Sequence, residues 1–214
     1  MIDDQQNKLV DLSLSGFSNE TLSESPAPGG GSVSAYVGAL GAALGSMVAN
    51  LSAHKRGWDD RWEELSNWAE KGKFAHDNLL KLVDQDTAAF NAIMDAFGLP
   101  KNNDQDKMKR SAEIQAATRR AMEVPFEVMQ TAFQSLEVIG KMAEIGNPNS
   151  LSDAGVGALC ARAAVYGAYL NVRINSGELA DRIFAEDMLT KAANLLQETI
   201  AKETEILELI ESKI

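Results

Sequence analysis

The stretch "SPAPGGGSVSAYVGALGAALGSMVANLS", residues 25–52, decides how the rest of the chain is read. Two prolines and three glycines lead into a segment with no Asp, Glu, Lys or Arg before Lys55. Three readings compete: a membrane span, a phosphate-cradling loop, or a core helix with a binding turn at its head. The length suits a span, and Gly41 and Gly45 form a GxxxG pair. Yet the segment is mostly Ala, Gly and Ser, which give little transfer energy, and neither a second span nor an aromatic belt accompanies it. A nucleotide loop fails as well, because the G-x-x-x-x-G-K-[ST] lysine is missing and no strand precedes the glycines. The buried helix is the reading that remains.

Its small residues then acquire a purpose. Gly38, Ala42, Gly45 and Ala49 share one face, where they let a neighbouring helix approach closely. Gly155, Gly157, Ala161, Ala164, Gly167 and Ala168 give a later segment the same character. Glycine costs about 1 kcal/mol against alanine inside a helix, so this density implies tight packing, within the chain or between subunits.

Helical spacing covers almost all of the remaining sequence, and alternating strand patterns are missing. The periodicity predicts helices over residues 3–15, 32–53, 60–97, 104–145, 153–176 and 180–212. In the first, Leu9 and Leu12 face inward. The third carries a stripe of Leu65, Trp68, Ala75, Leu79, Leu82, Val83, Phe90, Ile93, Met94 and Phe97. Pro125 is expected to kink or split the fourth. Ser152 reads as the N-cap of the fifth, with Asp153 in its first turn. The sum is an all-α antiparallel bundle of about six helices, in one domain over residues 1–214.

Composition narrows the function. With 31 acidic residues against 20 Lys and Arg, net −11, the chain lacks the broad positive field of a nucleic-acid binder. An anionic ligand must therefore meet a local cation cluster. The one cysteine, Cys160, excludes an internal disulfide, and "MIDDQQNKLV" does not resemble a secretory signal. Both suit a cytoplasmic protein. His54 and His76 form no metal motif, so no metal is expected.

Several side chains stand out as chemical candidates. Asp86 falls on the apolar stripe with Leu79, Leu82, Phe90 and Ile93, where a carboxylate is costly unless bonded. It is either a buried structural acid or an acid/base group in an internal cleft. Asn171 and Asn175 lie one turn apart in a helix otherwise rich in Ala and Gly, which suggests hydrogen bonds to a ligand or another helix. Asp153 and Asn171 share a face but stand roughly 27 Å apart along the axis. A site using both needs a long ligand or two subunits. Lys55 and Arg56, beside His54, form one local cation cluster; Arg119 and Arg120 form another. Gly29, Gly30, Gly31 and Ser32 present backbone N–H groups at a helix N-terminus, suited to an anion or to close backbone approach.

Four blocks carry a resemblance: "PAPGGGSVSAYVGALGAALGSMVAN" (26–50), "DTAAFNAIMDAFGLP" (86–100), "EVPFEV" (123–128) and "GNPNSLSDAGVGA" continuing to "GAYLNVRIN" (146–175). In this order the chain resembles the cyclodeaminase domain of the formimidoyltransferase-cyclodeaminase family, which includes stand-alone methenyltetrahydrofolate cyclohydrolases. The resemblance implies a dimeric helical bundle that binds tetrahydrofolate derivatives, polyglutamylated ones among them. It implies closure of 5-formimidoyltetrahydrofolate to 5,10-methenyltetrahydrofolate with release of ammonia, in histidine degradation and one-carbon metabolism. No metal or nucleotide cofactor is implied.

On that footing Asp86 is the first choice for the carboxylate beside the developing cation, and Asp153 the second. Asn171 and Asn175 would orient the pterin or the leaving amine. Lys55 and Arg56, with the glycine turn, would hold the glutamate tail. The formimidoyltransferase domain of the bifunctional enzymes has no counterpart in this sequence: the chain is either a piece of such an enzyme, with that domain as its missing segment or partner, or a stand-alone protein. Hydrolysis of methenyltetrahydrofolate is the alternative reaction, and a folate-binding module without turnover the third reading.

Overall fold

A computed structural model describes residues 8–214. The described residues form six α-helices: α1 (Leu14–Leu22), α2 (Gly30–Ala53), α3 (Trp62–Gly98), α4 (Asp104–Ile145), α5 (Leu151–Ser176) and α6 (Arg182–Glu211). No strand occurs among them. The expected all-helical architecture is therefore present.

Helices α2 to α5 make an up-and-down four-helix bundle, with α6 laid along α4 and α5. Side-chain neighbours fix the register. On the α2–α3 seam Ser32 meets Asp86, and Ser46 meets Ala69 and Gly72. Gly38 faces Ala164 of α5, while Gly41 faces Gly157. On α4, Ala121 meets Asn175 and Ile139 meets Gly157. Each of these pairs of neighbouring helices runs antiparallel, whereas α2 and α4 run parallel across the diagonal, with Gly38 on Ala132 and Gly45 on Ile139.

The small-residue stripe now has an internal explanation. Gly38, Ala42, Gly45 and Ala49 are all buried. At the α2–α5 crossing a Cβ on Gly41 would stand 2.8 Å from the Gly157 carbonyl oxygen, and one on Gly157 would stand 3.2 Å from that of Gly41. Only glycine allows backbones to approach so closely. By length and composition α2 could cross a membrane, but it is packed on three sides by helices of its own bundle.

Four expectations need correction. The first helix does not span 3–15: residues 3–7 lie outside the described residues, Leu9–Asp11 form a single 3-10 turn, Leu12 is exposed, and the helix starts at Leu14. Ser13 caps it, accepting from the Gly16 N–H at 3.0 Å. Met94 and Phe97 are exposed rather than buried, whereas Ala96 between them is buried, so the end of α3 packs through Ala96 instead. Ser152 is not an N-cap; Pro148–Ser150 make a 3-10 turn that leads directly into α5. Finally, α4 is not split: it continues through Pro125 from Asp104 to Ile145.

Candidate functional site

The head of α2 is built around one carboxylate. Gly29 is the N-cap and has no side chain to offer, so the exposed N–H groups of the first turn need another acceptor. Asp86 supplies it from the middle of α3. Its Oδ2 accepts from the buried Ser32 hydroxyl at 2.8 Å, and the Ser32 backbone N–H donates to the same carboxylate. Since Ser32 has a single hydroxyl proton, the 3.2 Å contact with Thr87 has Thr87 donating. A Cβ on Gly31 would collide with the carboxylate. The anion that the glycine turn receives is thus the protein's own Asp86.

Two opposed effects set the proton affinity of Asp86. Burial raises its pKa above the ordinary 3.8, and the two Ser32 hydrogen bonds pull it down by less. The carboxyl therefore holds a proton more readily than an exposed one, yet remains anchored to a helix N-terminus. That combination suits a group that must both take up and return a proton.

Beside it opens a cavity of about 270 Å³, lined by Gly29–Gly31, Asp86, Asn171 and Asn175, with Phe90, Ile93 and Ile174 as apolar walls. Periodicity assigns Phe90 and Ile93 to the inward stripe; they are half-buried and face this cavity. Larger hollows exist elsewhere, one of about 660 Å³ beside Gly146 and Lys213, but they contain none of the candidate residues. Chemistry rather than size selects the site.

The structure thus brings Gly29, Gly30, Gly31, Ser32, Asp86, Asn171 and Asn175 together. It does not bring the others there. Lys55 and Arg56 follow the opposite end of α2, roughly 36 Å away at 1.5 Å per residue. Asp153 lies in the first turn of α5 at that same end. Lys55 donates to Asn147 Oδ1 at 3.2 Å and lies over the Trp58 ring. Asn147 in turn donates its backbone N–H to Ser52 Oγ at 2.7 Å. This second cluster ties the "GNPNS" turn to the end of α2, and sequence reasoning did not single out Asn147 for it. The Asn-Pro-Asn spelling of the turn was the available signal. Arg119 and Arg120 are occupied elsewhere: Arg119 pairs with Glu123 and stacks on Phe184, and Arg120 pairs with Glu127.

Fold and site together define a helical-bundle protein with a carboxyl of raised proton affinity at a helix head and amide groups beside it in a small cavity. Residues 13–194 match the family described as formiminotransferase-cyclodeaminase. A methenyltetrahydrofolate cyclohydrolase of Methylorubrum extorquens is 38% identical over 208 residues, covering 97% of this chain and 98% of that protein. The formimidoyltransferase-cyclodeaminase of Mus musculus is 36% identical over 208 residues, and there the chain spans 38% of the relative's length. A crystal structure of formiminotetrahydrofolate cyclodeaminase from Thermotoga maritima superposes with a TM-score of 0.80 at 30% identity, covering 96% of this chain and 97% of that one. The chain belongs to the formiminotransferase-cyclodeaminase family.

Proposed function

We propose that the chain is a cytoplasmic formimidoyltetrahydrofolate cyclodeaminase, closing 5-formimidoyltetrahydrofolate to 5,10-methenyltetrahydrofolate with release of ammonia, as histidine degradation requires. The observation that carries this reading is Asp86, a carboxyl of raised proton affinity fixed at the head of α2 and open to the cavity.

The chemistry balances with that one group. N10 attacks the carbon of the protonated formimidoyl group, giving a tetrahedral carbon that bears an amino group. The Asp86 carboxylate takes the proton from N10 and passes it to that amino group. The C–N bond breaks, ammonia leaves, and the N5–C–N10 unit keeps the positive charge. Asp86 ends as a carboxylate beside a cation, which it stabilises.

The same carbon and the same proton transfers serve hydrolysis of methenyltetrahydrofolate, with water as nucleophile. The Methylorubrum extorquens relative, matched over 98% of its length, favours that second reading. Supplying each substrate separately distinguishes them. Ammonia release with gain of methenyl absorbance supports cyclodeamination, and loss of methenyl absorbance without ammonia supports hydrolysis. Tight binding of both with turnover of neither would reduce the protein to a folate-binding module.

A homodimer completes this reading. The cavity of one chain is smaller than the roughly 300–1,000 Å³ that ligands of this size occupy. The uncovered face of the bundle carries Leu40, Met47 and Leu51 on α2, and Val156, Leu159, Tyr166, Leu170 and Ile174 on α5. On α5 these recur at intervals of three, seven, four and four residues, which keeps them on one face as in a helix–helix seam. Pairing two such faces about a two-fold axis in antiparallel fashion sets the Asp86 end of one chain against the Lys55, Arg56 and Asp153 end of the other. Lys55 and Arg56 then supply the cations for a glutamate or polyglutamate tail. A formimidoyltransferase partner would deliver the substrate.

A further inference from the structure

Pro125 lies inside α4, where a proline has no N–H to give the carbonyl four residues earlier. That carbonyl belongs to Ala121, a buried residue at the edge of the cavity. Asn175 reaches across from α5 and donates its Nδ2 to the Ala121 oxygen at 2.7 Å. The missing helical bond is thus replaced by a side chain of the candidate site. Because the partner is a carbonyl oxygen, the amide has one orientation only: nitrogen toward α4, oxygen away from it. Asn171 is held likewise, its Nδ2 donating to the Gly167 carbonyl at 2.9 Å.

Both Oδ1 atoms are left without a protein donor among the described residues. Among the described residues no side-chain oxygen or nitrogen is both buried and unpartnered, so these two oxygens are accessible to solvent, on residues that line the cavity. Each amide thus keeps an unused acceptor oxygen, beside the second N–H of its Nδ2.

We propose that Pro125 is a positioning residue acting through Asn175: by vacating the Ala121 carbonyl it locks the amide with its oxygen toward the cavity. The ligand edge that fits these two oxygens presents two adjacent N–H donors. On the folate reading above, on which this part rests, that edge is the 2-amino group and neighbouring ring N–H of the pterin. A proline that weakens its own helix is in this way converted into a fixed polarity at the site.

A melting cycle on the full chain tests the lock without any ligand. Asn175→Leu removes the donor and leaves the Ala121 carbonyl unpaired; Pro125→Ala restores the helical N–H that pairs it. Asn175→Leu should lower Tm by about 2–4 °C more in the wild-type background than in the Pro125→Ala background, as one buried hydrogen bond predicts. An equal drop in both backgrounds overturns the proposal, as does failure of the double variant to fold where Asn175→Leu alone does.

The functional consequence is read separately with tetrahydrofolate and its 2-desamino analogue. Wild type should prefer tetrahydrofolate by about tenfold or more, and Pro125→Ala should lose most of that preference while melting no lower than wild type. Unchanged discrimination in Pro125→Ala contradicts the positioning role. Failure of wild type to bind either pterin removes the folate reading, and the melting cycle still decides the lock.

Discussion

At the scale of single residues, the account turns on how Asp86 is held. Its position on the inward stripe of α3 was legible in the sequence, because a carboxylate among Leu79, Leu82, Phe90 and Ile93 breaks the helical pattern. Its partner was not legible, since periodicity along one helix does not say which turn of another lies opposite. The glycine turn suggested an external anion, and the structure puts Asp86 there instead. A pH dependence follows from the raised carboxyl. Below the ordinary 3.8 both folded and unfolded chains are protonated at this group, and its contribution to stability is complete. As pH rises from there through the raised folded value, the unfolded chain ionises first, so stability is lost. Thermal melts from about pH 4 to 8 should therefore fall less steeply for Asp86→Asn than for wild type. Gly31→Ala belongs to the same scale. Its Cβ displaces the carboxylate, so turnover should drop by about 10²-fold or more while the helical circular dichroism spectrum is retained.

Among the helices, the crossing of α2 and α5 carries the strongest constraint. Gly41→Ala should cost about 1–3 kcal/mol by pushing the backbones apart, read as a Tm lower by several degrees in thermal unfolding. The presence and bounds of the long helices were legible from hydrophobic spacing, from the Gly98–Pro100 stop and from Gly177. Which small-residue face turned inward was not, because glycine and alanine carry too little hydrophobic signal to distinguish an intrachain seam from an intersubunit one. The N-terminal region was misjudged for a related reason: Leu9 and Leu12 fit a helical spacing, but the capping of Ser13 onto Gly16 starts the helix later. Pro125 illustrates the limit most plainly. The sequence announces a broken hydrogen bond in α4, and only the fold reveals that Asn175 repairs it.

For the whole molecule, the bundle separates its candidate residues into two ends, and the proposed dimer reunites them across subunits. A charge placed on the exposed seam, as in Leu170→Glu, should shift the sedimentation coefficient to that of a monomer and abolish turnover without unfolding the chain. Complementation gives a sharper prediction. Asp86→Asn and Lys55→Ala chains, each inactive alone, should regain activity when unfolded and refolded together, because a mixed dimer contains one intact site. No recovery on mixing would place each site within a single chain. The central claim concerns Asp86 itself, and the most direct measurement is single-turnover formation of the methenyl chromophore from 5-formimidoyltetrahydrofolate, compared between wild type and Asp86→Asn. The account predicts that the variant binds substrate and melts cooperatively but closes the ring about 10²–10⁴-fold more slowly, the loss of a positioned acid–base group. A folded Asp86→Asn protein that forms the chromophore at the wild-type rate would contradict it.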